Sequence, residues 1–126
     1  MGIAAEGDSC GELFRQMALG LFRIITSCDD IQPQQELEIE VRGEDREELL
    51  VNWLSELLYL LESRLFLPAS FFIEDISARH LLARVSGEPV DPARHALERE
   101  VKAITYHRVQ VEQTATGWRA QVYVDL

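Results

Sequence analysis

Residues 44–65 read EDREELLVNWLSELLYLLESRL, and the apolar positions in this stretch decide the fold. Leu49, Leu50, Trp53, Leu54, Leu57, Leu58 and Leu61 recur at the i, i+1, i+4, i+5 spacing that gathers side chains on one side of an α-helix. At about 100° per residue, Val51, Leu60 and Leu65 widen that side to a little over half the circumference. Glu48, Asn52, Ser55, Glu56, Glu62 and Ser63 fill the remainder. One partner cannot cover so wide an arc, so the helix is expected in a groove, against a sheet and a second helix. Asp45 reads as its N-cap, and Glu48 three residues later completes a capping box.

Upstream, Ser9 caps the second helix with Glu12 at N3, and Leu13, Phe14, Met17, Ala18, Leu21, Phe22 and Ile25 form its apolar stripe up to about Cys28. Before it, Gly2 to Glu6 is a short apolar run that looks like the end of a strand. Between the helices, Leu37, Ile39 and Val41 alternate with Glu36, Glu38, Glu40 and Arg42, the period-2 pattern of a strand with one wet face. The three glutamates are either a docking stripe or a solvated face. Downstream, Phe71–Ser77 and Leu81–Gly87 read as strands, Glu88–His95 as a polar loop, and Glu100–His107, Arg108–Gln113 and Trp118–Asp125 as further strands. In the last, Trp118, Ala120, Val122 and Val124 form the face expected to be buried. Together these elements predict an α+β fold, a mostly antiparallel β-sheet with two helices on one face.

At 126 residues the chain is expected to form a single domain, residues 1–126. Its 47% hydrophobic content, with 4 prolines and 7 glycines, is that of a compact protein that folds without metal or disulfide. No run of about 18 apolar residues and no basic segment ahead of an apolar one is present, so neither a membrane span nor a secretory signal is expected and the cytoplasm is the default. Cys10 and Cys28, taken as lying on one helix, would stand about 27 Å apart and are expected to be free, buried thiols. The net charge of −10 is unevenly spread: residues 1–63 carry 14 acidic and 4 basic side chains, whereas residues 64–126 carry 8 of each. Such an acidic surface repels phosphate backbones, which argues against direct nucleic-acid binding and suits a basic protein partner.

There is no glycine-rich phosphate loop, no GxSxG and no CxxC. The chemistry-bearing residues that remain are Asp91, His95, Lys102, Thr105, Tyr106, His107 and Asp125. If the last long strands are neighbours, the Lys102–His107 end and Asp125 converge on one sheet edge. Asp125 and the terminal carboxylate of Leu126 are hard oxygen donors of the kind Ca²⁺ or Mg²⁺ prefers, or else a solvated C-terminus. Asp91 and His95, spaced i, i+4, are either a metal pair or a surface contact. Lys102 is the only lysine; it either neutralises a partner's anion, pairs with Asp125, or is a plain surface charge.

The run ELLVNWLSELLYLLE, the block EVKAITYH over residues 100–107, the ending WRAQVYVDL, GELFRQMALGLF in the first helix and the GEPVDPARH loop resemble the archease family along nearly the entire chain. The resemblance implies the archease fold, related to strand-helix-strand-strand modules. It implies a non-enzymatic activator of an RtcB-type RNA ligase in RNA splicing and repair, promoting guanylylation of the ligase's active-site histidine. It also implies that Asp125 and the Leu126 carboxylate belong to a calcium site, and that Lys102 activates the ligase within a block that Thr105, Tyr106 and His107 complete. Family members carry a short motif of a histidine and one or two aspartates ahead of the segment matched by Gly2–Ala5, one of them a metal ligand. The chain begins after that point, so the metal site is expected to be one acid short. Two other readings stand beside this one: a metal-dependent phosphohydrolase using Asp125, Asp91, His95 and His107, and a general chaperone or scaffold.

Overall fold

The structure is a computed structural model that describes residues 1–126. Its elements are β1 (Gly2–Gly7), α1 (Cys10–Ile25), β2 (Gln35–Arg42), α2 (Arg46–Arg64), β3 (Phe66–Ile76), β4 (His80–Pro89), β5 (Ala103–Gln113) and β6 (Trp118–Asp125). This is the α+β arrangement that the patterning predicts, with one revision: the strands divide into two three-stranded antiparallel sheets, ordered β1-β6-β5 and β2-β4-β3. Both helices touch both sheets. Helix α1 packs on β1 and β6 to one side and β3 to the other, while α2 packs on β5 and on β2, β3 and β4. The second sheet is what the wide apolar arc of α2 requires.

Helix α2 buries Leu49, Leu50, Val51, Trp53, Leu54, Leu57, Leu58, Leu60 and Leu61. Leu65 departs from the expected arc, because it is the C-cap in a left-handed conformation and is exposed. At the other end Asp45 Oδ1 accepts the Glu48 N–H at 2.8 Å, and Glu48 Oε1 accepts the Glu44 N–H at 3.1 Å, so the box closes one residue ahead of the cap. Ser9 caps α1 in the same way through the Glu12 N–H. Trp53 ties the layers together. It is fully buried, meets Phe71 of β3 edge-on at 6.2 Å, and donates its indole N–H to the Phe14 carbonyl of α1 at 3.0 Å.

Strand β3 begins at Phe66, five residues ahead of the expected start, because the apolar run after α2 is extended at once. Pro68 is tolerated there since β3 is an edge strand and its register shifts between Pro68 and Ser70. Strands β5 and β6 are antiparallel neighbours, the condition for the Lys102–His107 end and Asp125 to converge, but the two short strands anticipated at 100–107 and 108–113 are one strand. Both cysteines are free, as expected, yet neither is fully buried, and Cys28 lies beyond the end of α1. Burial pushes the Cys10 thiol up, with Arg46 opposing it.

The segment joining the two sheets is not the solvated loop its polarity implies. Glu88 and His95 are both buried. Arg94 Nη1 donates to Glu88 Oε1 at 2.6 Å, the Gln32 N–H donates to Glu88 Oε2, and Arg94 Nη2 reaches the Asp30 carbonyl at 3.1 Å. His95 Nδ1 accepts the Asp91 N–H at 2.8 Å, which assigns the ring proton to Nε2, 3.3 Å from Glu88 Oε2. A buried carboxylate at the end of β4 thus binds two connections, 26–34 and 90–102, to each other. Further along, Thr26 Oγ1 donates to the Ala96 carbonyl at 2.6 Å and the Glu98 N–H to that of Ile25 at 2.8 Å, which ties the chain to the C-terminal end of α1 on its way to β5.

Two consequences are measurable. Trp53→Phe removes a buried donor and part of a ring, and should cost roughly 2–4 kcal/mol in denaturant unfolding. The Arg94 guanidinium and the Gln32 amide hold the Glu88 carboxyl at about 2, against 4.5 for a free one. Its contribution is therefore complete above pH 4.5 and is withdrawn as pH falls towards 2. In melting curves between pH 7 and pH 2.5, Glu88→Gln should melt lower at neutral pH and lose less on acidification than the native chain.

Candidate functional site

Strand β6 runs down the middle of its sheet, and its last residues gather the expected site. Asp125 lies opposite Ala103, Val124 opposite Ile104 and Tyr123 opposite Thr105. The Lys102 N–H donates to the Asp125 carbonyl at 2.8 Å, so the only lysine and the near-terminal aspartate are backbone neighbours. On the other flank Gly2 of β1 faces Tyr123. A side chain at Gly2 would come within 3.2 Å of the Tyr123 ring, so the glycine leaves that ring its room. The alternation expected for β6 holds from Ala120 onward: Ala120, Val122 and Val124 are buried in the core, while Gln121, Tyr123 and Asp125 belong to the outer face. Trp118, expected on the buried face, is only half-buried, with the Arg46 guanidinium 5.0 Å over its ring.

The register then breaks. Thr105 pairs with Tyr123 and the next pair is Gln110 with Gln121, so Tyr106, His107, Arg108 and Val109 stand opposite the single residue Val122. This wide bulge falls on the Thr-Tyr-His block, where the sequence shows only a strand end. Thr105 anchors its start: Oγ1 donates to the Tyr123 carbonyl at 2.9 Å and accepts the His107 N–H at 3.3 Å. The His107 and Tyr123 rings lie 5.7 Å apart, tilted by 60°. Arg108 has a φ of 54°, the left-handed region, and its carbonyl accepts the Gln121 Nε2 amide at 2.9 Å. Tyr106 is left 58% exposed at the crest. Tyr123, Gln121 and Arg108 were not foreseen as site residues; the outward parity of Gln121 and Tyr123 on β6 was the signal that could have found them.

Asp91 and His95 do not join this group. They belong to the cluster around Glu88, where His95 Nδ1 is taken by a backbone N–H and the Asp91 carboxylate accepts the Ala93 N–H at 3.0 Å. Asp91 and His95 do meet, but through the Asp91 backbone N–H rather than as two side-chain ligands turned to one point. Lys102 is exposed and forms no ion pair, with Asp125 or any other acid. The β2 glutamates are partly matched within the chain: Glu40 meets Arg42 at 3.1 Å and His80 at 3.4 Å, and Glu36 meets Arg84 at 3.8 Å.

For a hard divalent cation, Asp125 and the Leu126 carboxylate are donors of the right chemistry and the wrong number. Ca²⁺ takes six to eight oxygens, and no group of three or more His, Cys, Asp or Glu side chains forms in this chain. The two carboxylates could supply only part of such a shell.

Comparison with known proteins agrees with this architecture. The model of the Archease protein family (MTH1598/TM1083) matches residues 1–126. The chain is 39% identical over 126 residues to the archease of Methanosarcina mazei, covering 97% of this chain and 86% of that protein. It is 40% identical over 130 residues to that of Pyrococcus furiosus, covering 100% and 92%. Protein 1598 of Methanobacterium thermoautotrophicum, solved in solution, superposes with a TM-score of 0.82 at 29% identity, over 99% of this chain and 91% of that one. The crystal structure of a Thermotoga maritima archease, described as a possible chaperone, shares the fold with a TM-score of 0.70 at 18% identity, over 100% and 90%. No helix is long and apolar enough to cross a membrane. With a full-length family match and relatives near 40% identity behind it, the chain belongs to the archease family.

Proposed function

We propose that this protein activates an RtcB-type RNA ligase in the cytoplasm, promoting guanylylation of the ligase's active-site histidine without being an enzyme itself. The observation that carries the reading is the convergence, at one end of the β1-β6-β5 sheet, of Lys102, the Thr105–His107 block and Asp125. These groups share one end of a sheet and leave Lys102 and Tyr106 free to meet another protein. The acidic excess of residues 1–63 suits a basic surface on that partner and disfavours RNA itself.

In this reading the chain supplies charge and position to a site it does not own. Lys102 stands against the phosphates of the nucleotide being transferred. Asp125 and the Leu126 carboxylate would hold a cation such as Ca²⁺, which supplies positive charge that offsets anionic oxygens. The acidic surface orients the tip on the ligase. A hydrolase of its own would need a general base near Asp125, and the histidines give it little: His80 sits by Glu40 and His95 is buried beside Glu88, leaving only His107 on this sheet.

Lys102→Ala should fold and melt like the native chain, yet stimulate guanylylation of the cognate ligase about 10²-fold less in single-turnover assays. Full stimulation by that variant would remove Lys102 from the mechanism. Asp125→Asn should weaken Ca²⁺ binding, followed by calorimetry, by about 10- to 100-fold, the cost of losing even an outer metal partner. Unchanged Ca²⁺ affinity would exclude the Asp125 carboxylate as a ligand.

A further inference from the structure

We infer that Gln121 is a positioning residue, which holds the Tyr106–Val109 bulge in the shape that exposes Tyr106 and sets His107 beside Tyr123. Three observations converge on it. The bulge inserts four residues against one, which leaves its backbone without ladder partners. Arg108 occupies the left-handed region, where a Cβ crowds the carbonyl and which a non-glycine residue adopts only when its surroundings enforce it. The carbonyl of that same residue is the one Gln121 Nε2 binds, at 2.9 Å.

Gln121 and Tyr123 are successive outward residues of β6, one gripping the Arg108 end of the bulge and the other meeting the His107 ring. Thr105 secures the start of the bulge through the His107 N–H. Thr105 and His107 therefore have their own fixings near Tyr123, and Gln121 is the side chain that fixes the far side. The bond is accessible to water, so its loss should loosen the bulge rather than unfold the sheet. The effect on ligase activation rests on the function proposed above; the effect on the bulge does not.

The test uses the whole chain and two substitutions of equal length, Gln121→Met and Gln121→Glu, the first uncharged in case added negative charge disturbs folding. The ring resonances of His107 and Tyr106, read by nuclear magnetic resonance, should move in both towards averaged positions, with resonances of the helices unchanged. Adding Arg108→Asn to Gln121→Met should return them towards native positions, because asparagine tolerates the left-handed region. Ligase guanylylation at saturating protein should fall about fivefold, the worth of one neutral hydrogen bond, with the half-saturating concentration within about twofold of native. A merely destabilised protein would do the reverse, since adding more would restore the full rate. Native ring resonances in Gln121→Met overturn the inference, as does a full rate at saturation in a variant whose Lys102→Ala counterpart is silent. If the native chain stimulates no such ligase, the proposed function falls, and the resonances alone decide the role of Gln121.

Discussion

The indole of Trp53 is the point on which the layers depend. It lies on α2, bonds a carbonyl of α1 and meets Phe71 of the β2-β4-β3 sheet, so one side chain links both helices to a sheet. That position is available only because α2 is apolar over more than half its circumference and needs cover on two sides. Two sheets supply the cover. Burying an unpaired indole N–H in such a place would be costly, and the Phe14 carbonyl, with a second lone pair to share, removes that cost. Helix packing and sheet division are thus one constraint seen from two sides.

Much of this was legible in the sequence because it is local. The caps at Ser9 and Asp45, the stripes of both helices and the alternation of β2 and β6 each follow from spacing within about twenty residues. Which strand pairs with which is set by contacts far apart in the chain, and that is where a single sheet was expected and two were found. The charged crossover was misread for the same reason. Glu88 looks solvated until Gln32, from 56 residues away, and Arg94 enclose it.

The candidate site was half legible. The nearness of Lys102 and Asp125 follows once β5 and β6 are paired. The bulge does not, because Thr-Tyr-His alternates as acceptably as any strand and nothing in its composition demands four residues against one. The sequence does hold a trace of it in Gln121 and Tyr123, polar or half-polar side chains on the outward parity of β6. Only the register shows what those side chains grip.

The bulge also bears on what the edge of the sheet offers to another chain. Strand β5 is the edge of its sheet and eleven residues long, the kind of open rim on which a second chain can add itself strand by strand. Four residues thrown out of line in its middle, with a left-handed turn at Arg108, divide that rim into two short lengths of backbone. A neighbouring molecule therefore finds no continuous row of donors and acceptors to copy. The irregularity that exposes Tyr106 thus also interrupts the edge, and straightening it would restore an eleven-residue rim open to strand addition.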